Sequence, residues 1–117
     1  FGCVEVRPCI DINNVKVYTD GTIGWTGVIL KFGTNTTYTQ STGTQDTTGV
    51  DAATSLSITM TDASTYTSAS PLSLSGSITN PSTGKVSDYL IVQATVSTSA
   101  TAGTLSSETI TFRYDET

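Results

Sequence analysis

Cys3 and Cys9 are the only thiols in this 117-residue chain, which has no histidine. Val4, Val6, Pro8, Ile10 and Ile12 occupy even positions of the same stretch, and Cys3, Glu5, Arg7, Cys9 and Asp11 the odd ones. Successive side chains of an extended strand point to opposite faces, so such a strand gathers the apolar residues on one face and both thiols on the other. At about 3.3 Å per residue the cysteines then stand roughly 20 Å apart, beyond the ~7 Å that a disulfide tolerates between Cα atoms. In that form both thiols stay free or each bridges to a neighbouring subunit. A tight turn at Arg7-Pro8 is the alternative, closing an intrachain loop worth roughly 2 kcal/mol in the chain-entropy model. The alternation favours the extended form, and with it inter-subunit bridges.

Pro8 has no amide donor, so the segment cannot be a fully paired central strand. It fits an edge strand of its own domain. It fits equally a donor strand, whose alternate side chains fill a groove in a neighbouring subunit. In the second case Val4, Val6, Ile10 and Ile12 form the subunit interface.

Little other chemistry is on offer. Without histidine, the commonest general base and metal ligand is missing. The many serines and threonines have no G-x-S-x-G elbow or S-x-x-K dyad around them. Asp46, Asp51, Asp62 and Asp88 are scattered carboxylates, which read as solvated surface rather than as a glycosidase pair. No D-x-D-x-D-G calcium loop occurs, and adventitious calcium at Asp46 and Asp51 is the most these residues suggest. The expectation is a protein that is not an enzyme, with no catalytic, metal or cofactor residues. Asn35-Thr36-Thr37 is a glycosylation sequon, so a glycan at Asn35 is expected as a minor feature. Trp25 and tyrosines 18, 38, 66, 89 and 114 would make a sugar-stacking platform only if they shared a surface. Trp25 and Tyr114 are expected in the core instead.

The composition points to sheet. There are 25 threonines and 15 serines, while charged residues are only 13%, against about 25% in an average soluble protein. Threonine is β-branched and suits the solvated face of a pleated sheet. A net charge of −5 and five scattered basic residues argue against nucleic acid. No run of 18 apolar residues exists, so no membrane span is expected. No signal peptide is visible, as in a mature secreted chain. Low charge and abundant hydroxyls suit an extracellular or cell-surface location.

Period-two stripes recur along the chain: Leu56, Ile58 and Met60; Leu72, Leu74 and Ile78; Leu90, Val92, Ala94 and Val96; Ile110, Phe112 and Tyr114. Each reads as a strand with one buried face. Asp20-Gly21, between 15–19 and 22–30, is the strongest hairpin signal. Asn13-Asn14 is a candidate tight turn, and 80–84 separates two further strands. Gly24 and Gly27, beside Trp25, suggest bulges or close backbone approach. Residues 34–51 read as a surface loop or weak edge. The expected fold is all-β: a single antiparallel β-sandwich of seven to nine strands, jelly-roll or immunoglobulin-like, over 15–117, with an extended N-terminal strand over 1–14.

The end of the chain, SDYLIVQATVSTSATAGTLSSETITFRYDE, resembles the last strands of secreted β-sandwich subunits of prokaryotic extracellular filaments, the TasA-like matrix fibres and archaeal bundling pili. The stripe at 4–12 matches their style of donor-strand assembly. This resemblance implies a structural subunit that self-assembles as a homopolymer into a filament, pilus-like fibre or sheath. A monomeric extracellular binding module and a virion decoration or tail protein are the alternatives, since one sandwich architecture hosts many functions. If the cysteines bridge subunits, assembled material on a non-reducing gel should form a ladder that reductant collapses to one band at 12.2 kDa.

Overall fold

The computed structural model describes residues 11–38, 42–43, 49–50, 58–79 and 84–116. They form β1 (Ile12–Tyr18), β2 (Val28–Asn35), β3 (Thr42–Gly43), β4 (Gly49–Val50), β5 (Thr61–Asp62), β6 (Leu72–Leu74), β7 (Tyr89–Val96) and β8 (Thr111–Glu116), with one 3₁₀ turn at Ala63–Thr65. Two antiparallel three-stranded sheets, ordered β6-β1-β8 and β5-β2-β7, make the sandwich, and β3 pairs with β4. The fold is all-β, as the threonine content and period-two stripes require.

The long stripes form strands where expected. β7 carries Leu90, Val92, Ala94 and Val96, and β8 carries Phe112 and Tyr114. β6 holds Leu72 and Leu74, while Ile78 reaches β1 only through an isolated bridge to Ile12. Leu56 lies outside the described residues. Ile58 and Met60 are not in a strand; their side chains lie over Gly33, where an added Cβ would come within 2.6 Å of the Met60 sulfur. Among the described residues Ile12, Asn13 and Asn14 lie in β1, a strand of the sandwich.

Two turn assignments do not hold. Asn13-Asn14 is a β-bulge within β1, with Asn14 at φ 55 and its Nδ2 donating to Asp115 Oδ2 at 2.9 Å. Asparagine tolerates the left-handed region, so the same residues that favour turns also favour this bulge. Asp20-Gly21 does turn the chain, with Thr22 N donating to Asp20 Oδ1 at 2.9 Å. It joins no hairpin, however. β1 and β2 lie in different sheets, and residues 19–27 cross between them.

A second crossing, residues 97–110, carries the chain from β7 to β8 beside the first. Ser97 N donates to Gly27 O at 2.8 Å, Trp25 Nε1 to Ser106 O at 2.7 Å, and Gly24 N to Glu108 Oε1 at 2.7 Å. The contacts run on from the β2–β7 pairing, through the corner, into the β1–β8 pairing, where Tyr18 stands opposite Thr111. One two-chain ribbon is thus folded over on itself. Folding brings Val17 of β1 onto Leu30 and Phe32 of β2 in one buried cluster. The close approach expected near Trp25 is found at Gly27, with φ 75, where a Cβ would come within 2.5 Å of Ala100 N.

The core fills one half of the fold. Val17 and Phe32 are fully buried, with Leu30, Ala63 and Leu74 around them and Val15, Ile23, Trp25, Tyr66, Leu72 and Leu90 packed outside. Tyr66 stacks on Phe32 with ring centroids 6.3 Å apart. Thr19, 3% exposed, closes this half. Its hydroxyl donates to Ala63 O and Tyr66 O at 3.2 and 3.0 Å and accepts from Gly21 N at 3.1 Å. Its own N–H donates to Tyr66 O at 2.9 Å. The end of β1 is therefore tied to the turn that follows β5 in the other sheet. Thr19→Val keeps the volume but strands these buried groups. It should cost about 1–3 kcal/mol, seen as a lower urea midpoint at unchanged m.

Candidate functional site

Directly opposed residues of an antiparallel pair share a face of the sheet. Phe32, fully buried, stands opposite Val92, and Leu30 opposite Ala94. Val92 and Ala94 therefore point inward, and so by alternation do Leu90 and Val96. On the other sheet, buried Val17 stands opposite Phe112. Phe112 and Tyr114 accordingly point inward too.

These inward residues are nevertheless uncovered. Val92 is 50% exposed, Val96 67%, Phe112 55% and Tyr114 49%, and Ala94 is also exposed. Ile110, just ahead of β8, is 37% exposed. Only Leu90 packs on the core. Expecting every stripe to be buried was thus incorrect for most of β7 and β8, and Tyr114 is not a core residue. The inward stripes of both β7 and β8 are thus left largely uncovered.

The opposite flank is closed. There the 3₁₀ turn after β5 and the short connection 66–71 lead directly into β6, and Thr19 clamps the joint. The asymmetry has a simple origin. β5 and β6 are linked by a few residues, whereas β7 and β8 are joined only around the corner through 97–110. Both β7 and β8 are sheet edges among the described residues, and an edge presents unpaired N–H and C=O groups as a template for another strand.

The other candidate residues are dispersed. Val4, Val6, Ile10, Cys3 and Cys9 lie outside the described residues, as do Asp46 and Asp51. Ile12 is half-buried in β1, opposite Glu116 and bridged to Ile78. Asn35 ends β2, its Nδ2 donating to Thr37 O at 2.7 Å and Thr37 Oγ1 at 3.2 Å. Asp62 uses its carboxylate to cap the 3₁₀ turn through Ser64 N at 3.0 Å. No group of three or more metal-ligating side chains occurs among the described residues.

The aromatic residues share no single surface. Tyr18 lies on the outer face of its sheet beneath the Arg113 guanidinium, 5.5 Å from the ring centroid. Tyr38 and Tyr89 meet edge-to-face at the end of the other sheet, 5.7 Å apart. Trp25 is at the corner, Tyr66 against the core and Tyr114 on the uncovered flank.

No protein-family model matches the sequence, and no curated protein or solved structure matches it either. Among the described residues no helix is long and apolar enough to cross a membrane.

The flank was only half visible in the sequence. Alternation identifies which residues share a face, but whether another layer covers that face is decided by residues far away in the chain. Phe112→Ser should change stability by no more than about 0.5 kcal/mol, as at a surface site. Phe32→Ala, on the covered half, should cost about 3–5 kcal/mol. Equilibrium urea unfolding of the two variants measures the contrast.

Proposed function

We propose that this protein is a structural subunit that self-assembles into an extracellular filament, pilus-like fibre or sheath, and that its N-terminal segment is donated as a strand to a neighbouring copy. The observation that carries this reading is that the inward-facing apolar stripes of two edge strands are exposed. Monomeric soluble proteins rarely leave contiguous apolar surface of this kind unless a partner binds it. The alternating segment ahead of Ile12 has the complementary pattern, four apolar residues on one face over 4–10.

The low charge and hydroxyl-rich surface suit dense packing of identical copies outside the cell, with few like charges to repel. Cys3 and Cys9, on the opposite face of a donated strand, would then add covalent links between subunits, which an oxidising location permits. Compared with a carbohydrate-binding module, the assembly reading has the better surface. Val92, Val96, Phe112 and Tyr114 lie exposed on two edge strands, whereas the aromatics that would stack on sugar are dispersed.

Purified protein should form uniform polymers visible by electron microscopy. Removing residues 1–11, which leaves β1 whole, should abolish them and leave a soluble domain. A synthetic peptide of residues 1–11 should raise the melting temperature of that domain. At a hundred times its Kd the gain is about 2.7 kcal/mol. Normal polymers from the truncated protein would sink the reading.

A further inference from the structure

We infer that the donated strand adds to the edge of β8 that no described strand pairs, antiparallel to it, with Val4 of a second copy opposite Tyr114, Val6 opposite Phe112 and Pro8 opposite Ile110. The inference rests on the assembly reading above and names the edge, the direction and the register.

The choice of edge follows from charge. The odd-numbered, outward face of the segment carries Glu5 and Arg7. The outward positions of β7 are Tyr89, Ile91, Gln93 and Thr95, none of them charged. Those of β8 are Thr111, Arg113 and Asp115. Only β8 can discriminate between registers by charge.

The register follows from two constraints. Directly opposed residues share a face, so the even-numbered apolar residues must stand opposite Ile110, Phe112 and Tyr114. In the register proposed, Glu5 falls opposite Arg113, Arg7 opposite Thr111 and Cys3 opposite Asp115. Slipping the strand by two residues one way sets Arg7 against Arg113 and Glu5 against Asp115, two like-charge pairs, which are destabilising directly across strands. Slipping it the other way puts Gly2 opposite Tyr114, leaving that ring uncovered, and moves Glu5 off Arg113. An exposed ion pair adds little affinity, so its role here is to select among alternatives. Pro8 lies opposite Ile110, one residue before β8 begins at Thr111, where its missing N–H breaks no ladder bond.

Direction follows from where the chain joins β1. Ile12 stands opposite Glu116, at the end of β8 farthest from Ile110. An antiparallel donor passes Tyr114 first and Ile110 last, so its own domain sits at the Ile110 end of the acceptor. The segment ahead of the acceptor's Ile12 joins at the other end, toward a third copy. The contact is heterologous and propagates as an open chain. A parallel donor would pair Glu5 with Arg113 and Arg7 with Asp115, but its domain would lie at the same end as the acceptor's own segment, which closes a reciprocal dimer. Residues 9–11 alone link donated strand and donor domain, about 10 Å of extended chain, so consecutive subunits abut.

The native Cys3 reports the register. With Cys9→Ser removing the second thiol, Asp115→Cys puts a cysteine directly opposite Cys3, at the roughly 4.5–5.5 Å Cα spacing of an antiparallel pair and within disulfide reach. Thr111→Cys in the same background is the partner for the parallel register. Oxidation of assembled full-length protein should give a reducible ladder with Asp115→Cys and only monomer with Thr111→Cys. Independently, Arg113→Glu should raise the concentration needed for assembly several-fold, and Glu5→Arg in the same chain should restore it. Polymers by electron microscopy with cross-linking at Thr111→Cys, with no cross-link at Asp115→Cys, or without rescue by Glu5→Arg overturn the edge and register and leave assembly standing. Absence of polymers from the unmodified protein overturns both.

Discussion

The folded-over ribbon of β1–β2 and β7–β8 is the constraint on which the rest of this molecule depends. Ser97 bonded to Gly27, Trp25 to Ser106 and Gly24 to Glu108 keep the two crossings side by side, so the ribbon cannot shear at its corner. Once it bends there, Val17 of β1 meets Leu30 and Phe32 of β2 in the core. The bend also needs Gly27, since any side chain would strike the backbone at Ala100.

The two flanks of the ribbon then meet different fates. Beside β1 and β2 the chain adds β6 and β5, joined by a short connection and held by Thr19. Val17, Phe32, Leu30, Leu74 and Ala63 pack together there. Beside β7 and β8 nothing among the described residues is added. Fully burying a large apolar side chain is worth about 1.5–3 kcal/mol, and Val92, Val96, Phe112 and Tyr114, each half exposed or nearly so at the least, forgo part of it. Apolar surface next to edges that no described strand pairs is what a strand-shaped partner would cover. On the proposed reading, stability and assembly are therefore one quantity, and the completed sandwich contains one strand from another copy.

The surface agrees with that picture at a different level. Threonine and serine supply polarity without charge, so copies can pack closely without the repulsion that lysine and glutamate would bring. Of the three charges on β8, Arg113, Asp115 and Glu116, the first two would on the proposed reading discriminate between registers.

What the sequence by itself determined were the local patterns: extended backbone from β-branched residues, and a period of two that sorts each strand into two faces. β7 and β8 were legible in full, and so was the apolar face of each. Asp20-Gly21 was legible as a turn but not as a corner, because a turn motif reports φ and ψ and says nothing about which strands pair. Pairing was decided by partners such as Thr111 for Tyr18, some ninety residues away. Tyr114 shows the same limit from the other side. Its stripe is identical in pattern to the one that buries Leu74, yet Leu74 is covered and Tyr114 is not. Alternation encodes which side of a strand is apolar, but coverage depends on how many strands the other sheet extends over that position, which only the tertiary structure decides.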